Sequence, residues 1–126
     1  MTKAVIYSEL APEPIGPYSQ AIQAGNILFI SGQIAIDRSS NQLLTSNVKE
    51  ETAQVMKNIG EILKSSGLDF NHVVKCSIFL KDMNNFPLVN EVYGGFFKVQ
   101  PPARETVEVS RLPKDVNVEI SCIAVV

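Results

Sequence analysis

The hydrophobic pattern changes period several times along the chain, and each change marks an element. Lys3–Tyr7 opens as a short strand. Tyr18–Ala24 and Ile27–Gln33 flank Gly25-Asn26 and predict a hairpin. Ser39–Ser46 is polar, without a period, and reads as irregular. From Asn47 to Ser66 the period becomes helical, with Val48, Val55, Met56, Ile59, Ile62 and Leu63 recurring at three- and four-residue spacing. Asn47 with Glu50 resembles a capping box, and Gly67 is a natural stop. Val73–Leu80 is rich in β-branched and apolar residues and predicts a central strand. Asn84 to Phe97 returns to helical spacing through Phe86, Val89, Tyr93 and Phe96/Phe97, with Pro87 tolerated in the first turn. Ala103–Ser110 and Val116–Val126 are the last two strands.

The resulting order, β-β-β-α-β-α-β-β, predicts an α+β domain over residues 1–126: one sheet of about six strands with both helices on one face. The other face then lacks a cover. No third layer remains in the chain to supply one, which points to another subunit.

Strand alternation assigns side chains to faces. Val118, Ile120, Cys122 and Ala124 form a core face, with Glu119, Ser121, Ile123 and Val125 opposite. Ala103, Glu105, Val107 and Val109 share one face of the preceding strand, and Arg104, Thr106, Glu108 and Ser110 share the other. Arg104 carries a fixed charge and a planar donor fork suited to a carboxylate or phosphate. Glu119 is the lone acid on its strand face, and a cover over that face would raise its pKa toward proton-transfer chemistry. Spacing alone does not separate these roles from solvated or mutually paired strand residues, the commoner case.

Composition narrows the classes. The chain has 126 residues with a formal charge of −2, one His and two Cys. That charge argues against nucleic-acid binding driven by counterion release. Two cysteines, at 76 and 122, are too few for a secreted disulfide scaffold. With one His they also make a tetrahedral zinc site improbable. No apolar run approaches the ~18 residues of a membrane span, and the N-terminus lacks signal-peptide anatomy. The expectation is a soluble, cytoplasmic protein. The mean hydropathy of +0.11 is high for a small soluble monomer and again favours apolar surface shared between subunits. No Walker or dinucleotide glycine motif occurs, and a single His in a loop supports no catalytic triad. Ser31-Gly32-Gln33 ends a hydrophobic strand, where Gly32 allows close backbone approach or simply marks a bulge. Tyr18 presents a hydroxyl or packs with an exposed tip. Cys76 reads as inert core and His72 as surface.

Four segments carry a resemblance. Ala11 through Gln20 (APEPIGPYSQ) is similar to the opening signature of the RidA/YjgF family of reactive-intermediate deaminases, and Ser31-Gly32-Gln33-Ile34 to its second. Phe86 through Tyr93 resembles the third. Pro102-Ala103-Arg104, Val107-Glu108-Val109, Arg111 through Asp115 and Val118-Glu119-Ile120 resemble the C-terminal one. The resemblance implies a chorismate-mutase-like fold and a homotrimer with clefts between subunits. It implies hydrolysis of enamines or imines of the 2-aminoacrylate and 2-aminocrotonate type to a 2-keto acid and ammonia. Pyridoxal-phosphate dehydratases would supply these intermediates, and no cofactor or metal is implied for the chain itself.

By the same resemblance, Arg104 would hold the substrate carboxylate and Glu119 would polarise the attacking water. Tyr18 would close the cleft, Ser31 and Gly32 would line it, Asn90 would supply an amide contact, and Thr106 would contribute through its backbone. Glu105-Thr106 departs from the Ser-Cys of many members, which excludes thiol chemistry at that place, and Glu105 should point to the opposite face. Ala35 stands where Pro is common. Two other readings remain: a non-catalytic keto-acid-binding regulatory module, and an RNA-directed inhibitor or ribonuclease, the latter disfavoured by the charge.

Overall fold

A computed structural model describes residues 2–126. Six strands form a mixed sheet in the order β1-β2-β3-β8-β6-β7. They are β1 (Lys3–Ile6), β2 (Ala21–Ala24), β3 (Ile27–Gln33), β6 (Val73–Leu80), β7 (Ala103–Glu108) and β8 (Val118–Val125). A small hairpin, β4 (Ile36–Asp37) with β5 (Gln42–Leu43), stands apart. The helices are α1 (Val48–Ser65) and α2 (Phe86–Gly94). All sheet pairings are antiparallel except β6 with β7.

Helix α1 forms where its period, its caps and its packing agree. The Asn47 side chain accepts from the Glu50 N–H at the start. At the end, Gly67 takes a positive φ of 73°, and the amides of Gly67 and Leu68 donate to the carbonyls of Lys64 and Leu63, a Schellman stop. The Asn47 N-cap is worth about 1 kcal/mol. Packing weighs more: Val55, Met56, Ile59, Ile62 and Leu63 are buried against the sheet, at roughly 1.5–3 kcal/mol for each such side chain. Their partners are Leu28 and Ile30 of β3, Cys76, Ile78 and Leu80 of β6, and Val118, Ile120 and Cys122 of β8. Helix α2 adds Val89 and Tyr93 to the same core.

The opposite sheet face has no helix. It carries Ile27 and Phe29 of β3, Ile123 and Val125 of β8, and Phe79 and Val107 of the next two strands. Phe29 is 45% and Val107 40% exposed. An apolar sheet face left open to this extent marks an interaction surface.

Local departures from the sequence pattern have physical causes. The residues expected to be irregular, Ser39–Ser46, include β5; Asp37 accepts from the Ser39 amide and hydroxyl, and Asn41 takes a φ of 58° to close the turn. Two-residue strands are too short to show a period. The second helix is shorter than the Asn84–Phe97 expected. A 3-10 turn at Met83–Asn85 precedes it and Gly94-Gly95 ends it. Phe97 still reaches the core, its ring 4.9 Å from that of Tyr93 and 5.5 Å from that of Phe70. Tyr18–Gln20 lies outside the sheet. A register shift between Val73 and Lys75 puts Val73 rather than Val74 into the core, leaving Val74 45% exposed.

Candidate active site

The expected site residues gather in two places, on opposite faces of the sheet. The first is a cleft of about 330 Å³ whose lining includes Ile15, Tyr18, Ser31, Gly32, Pro113 and Glu119. Glu119 stands on the uncovered face, since its neighbours Val118 and Ile120 are fully buried on the other. It sits opposite Phe79 of β6. Beside it β3 bulges: Ile30 pairs with Cys122 and Gln33 with Ile120, leaving Ser31 and Gly32 facing Ser121 alone. The Glu119 side chain lies across Gly32. A Cβ there would stand 2.5 Å from Glu119 Oε2 and 2.8 Å from Cδ. Gly32 therefore leaves the space in which the Glu119 carboxyl is seated, and its backbone, absent from the positive-φ positions, does not itself call for glycine.

Glu119 is half-buried, and burial alone pushes its pKa above the ordinary glutamate value, with no partner charge to pull it back. Desolvation penalises its charged form. Its contribution to stability is therefore most favourable below the ordinary glutamate pKa and is lost as pH rises through the raised one. Glu119→Gln should accordingly raise Tm at neutral pH, with the gain shrinking as pH falls into the carboxylate range. Calorimetry across pH checks this; a gain independent of pH would contradict it.

The wall opposite Glu119 is the loop between β1 and β2, and it is tied down from inside. Gln20 is 2% exposed. Its Oε1 accepts from the Ser8 amide at 2.6 Å and its Nε2 donates to the Pro12 carbonyl at 2.9 Å. The Ser31 hydroxyl donates to the Ser19 carbonyl at 2.6 Å, fastening the same loop to β3. Tyr18 folds back on the loop, its hydroxyl accepting from the Ile15 amide at 3.2 Å. On the outer side Arg38 donates to Glu13 and to the Tyr7 hydroxyl, which itself bonds Glu13.

The second place is a hollow at the β7 edge, lined by Asn90, Tyr93, Pro101, Pro102 and Arg104 among others. Arg104 pairs in register with the core residue Cys76, so it lies on the helix face. Its Nη1 donates to Asn90 Oδ1 at 2.7 Å, and its guanidinium carbon lies 5.0 Å from the Tyr93 ring centroid and 5.5 Å from that of Phe86. Phe86, Asn90 and Tyr93 stand four and three residues apart on α2, hence on one helical face. Among the described residues no carboxylate forms an ion pair with Arg104. Its remaining donors are free for an anion. Thr106 lies on the same face, its hydroxyl buried without a partner, as is that of Tyr93. Glu105 points to the other face, paired with Lys75 at 2.8 Å and bonded to Ser77.

One chain thus brings Tyr18, Ser31, Gly32 and Glu119 together, and separately Arg104, Asn90 and Thr106. It does not bring Arg104 to Glu119: strand β6 lies between theirs and they face opposite ways. Phe86 and Tyr93 belong to the hydrophobic stripe that helical spacing marks, and both pack on the core; their added contact with Arg104 depends on the tertiary placement of α2. Among the described residues no cluster of His, Cys, Asp and Glu is arranged to hold a metal. No helix among them is long and apolar enough to cross a membrane.

A mixed sheet with two helices on one face, an open apolar face opposite, and a carboxylate cleft at its border defines a chorismate-mutase-like α+β protein. Residues 8–126 match the family model described as Endoribonuclease L-PSP, and the chain belongs to this family, also called RidA/YjgF/RutC. It is 54% identical over 122 residues to a RutC family protein of Pyrococcus horikoshii, covering 97% of each chain. It is 50% identical over 123 residues to the 2-iminobutanoate/2-iminopropanoate deaminase of Mus musculus, covering 98% of this chain and 91% of the mouse protein. The crystal structure of E. coli TdcF with bound serine superposes with a TM-score of 0.94 at 36% identity, covering 98% of both chains.

Proposed function

We propose that the chain hydrolyses 2-imino acids and their enamine tautomers, of the 2-aminoacrylate and 2-aminocrotonate type, to 2-keto acid and ammonia. It acts as a homotrimer in which the Glu119 cleft of one subunit meets the Arg104 hollow of the next. The observation that carries this reading is the division of the site: an uncompensated, half-buried carboxylate on one face and an unpaired guanidinium on the other, beside an uncovered apolar surface. A second copy over that surface both buries it and completes the site. The mouse relative's name supports the reaction class.

In the assembled cleft Arg104 grips the substrate carboxylate, with Asn90 and the Tyr93 ring steadying the guanidinium. The substrate's imine carbon is then presented to a water held by Glu119. Glu119 accepts a proton as the C–O bond forms, and that proton passes to the imine nitrogen to give a carbinolamine. The hydroxyl proton follows to nitrogen as the C–N bond breaks, leaving a keto carbonyl and ammonia. A carboxylate with a raised pKa suits this exchange near neutral pH. Tyr18 and Ile15 screen the reacting centre from bulk water. Thr106 in place of a thiol removes nothing the reaction needs, and neither cofactor nor metal is required.

The same reading places the protein in the cytoplasm beside pyridoxal-phosphate dehydratases, which generate such intermediates. RNA binding is disfavoured by the net charge of −2. The test is keto-acid release from a dehydratase-generated intermediate. The reading requires saturable acceleration with an acid limb lying above the ordinary glutamate pKa. Saturable keto-acid binding without acceleration would establish a binding module instead.

A further inference from the structure

Glu51 is a carboxylate the proposed chemistry does not use. It sits on α1, is 0% exposed, and has no cation partner among the described residues. Its Oε2 accepts from the Asn117 amide at 2.7 Å and the Val118 amide at 3.0 Å, and its Oε1 accepts from Asn117 Nδ2 at 2.7 Å. A buried carboxyl is costly unless its oxygens are hydrogen-bonded. Here those donors belong to the two residues just before Glu119.

The segment that Glu51 anchors is strained. Lys114 and Asp115 take φ values of 56° and 57°, two consecutive left-handed residues without glycine. Such conformations are costly and persist only where the surroundings over-determine them. Arg111 grips Asp115 through Nε at 2.6 Å and Nη2 at 3.2 Å at one end of the segment, and Glu51 holds the other. Between them Pro113 lines the cleft. The cleft-lining segment that follows the β3 bulge is held from the same helix: Asn58 Nδ2 donates to the carbonyls of Ile34 and Ile36, both at 3.0 Å.

We infer that Glu51 is a positioning residue for Glu119: it locks residues 113–118 so that the Glu119 carboxyl stays seated over Gly32. The inference rests on the deaminase reading for its kinetic readout but not for its structural one. Glu51→Gln preserves shape but leaves one acceptor oxygen: with that oxygen on the Asn117 and Val118 amides, the new NH2 group faces the Asn117 Nδ2 donor. It should lower kcat by about tenfold to a hundredfold with KM little changed, as expected when a reacting group is displaced by about 1 Å. Its crystal structure should show the carboxyl withdrawn from Gly32.

Ile59→Val, which shaves the same helix without touching the loop, supplies the comparison: a lower Tm with wild-type kcat. A Glu51→Gln protein that is less stable yet keeps both kcat and the Glu119 placement overturns the inference. Should it fail to fold, Asn117→Ala removes only the Nδ2 donor; a smaller kcat loss supports the inference, and an unchanged kcat overturns it. Inactive wild-type protein would refute the deaminase reading alone. The position of Glu119 in the wild-type and Glu51→Gln structures would then decide the inference by itself.

Discussion

Arg104→Ala is expected to abolish turnover while leaving a folded protein. Arg104 lies on an edge strand, and its polar contact within the chain is with Asn90. Removing it leaves the core intact. What is lost is the charge-assisted grip on the substrate carboxylate, an interaction of about 2–5 kcal/mol, or roughly 30- to several-thousand-fold in kcat/KM. Arg104→Lys keeps the charge without the planar fork and should fall between the two. Steady-state kinetics on the dehydratase-coupled assay, with keto-acid binding measured by calorimetry, reads both effects. Wild-type kinetics in Arg104→Ala would remove the substrate-binding role.

Gly32→Ala is expected to cost about as much for a different reason. The new Cβ would stand 2.5 Å from the Glu119 carboxylate oxygen, inside van der Waals contact. Since Gly32 has no positive φ, the backbone accepts alanine and the strand pairing should survive. The flexible end of Glu119 gives way and its carboxyl leaves its seat. A misplaced reacting group costs about a hundredfold in kcat. Far-ultraviolet circular dichroism and Tm should stay near wild type while kcat falls. An active Gly32→Ala protein would mean that the carboxyl works from another position.

The elements and faces that position the site follow from local rules, and most of them are legible in the chain. Helix α1 announces itself by period and by both caps, and the alternation in β8 places Glu119 opposite a wholly apolar face. The division of the site is another matter. Which face of β7 meets the helices depends on its register with β6, where Arg104 pairs with Cys76, and no periodicity within β7 encodes a partner strand. The bulge that sets Gly32 beneath Glu119 is likewise a property of two strands. Val74 shows the same effect: its position alternates correctly with Cys76, but a register shift moves it out of the core. The role of Glu51 escapes because its partners are 66 and 67 residues away.

The central claim is that each working cleft takes Glu119 from one subunit and Arg104 from its neighbour. Co-refolding equal amounts of Arg104→Ala and Glu119→Gln tests it most directly. Each variant alone lacks one half of every cleft. Random assembly into cyclic trimers makes about three-quarters of them mixed, and each mixed ring contains one junction with both halves intact. Activity should therefore return to about a quarter of the wild-type value. If activity stays at the sum of the two inactive proteins although mixed trimers have formed, the cleft is not shared in this way.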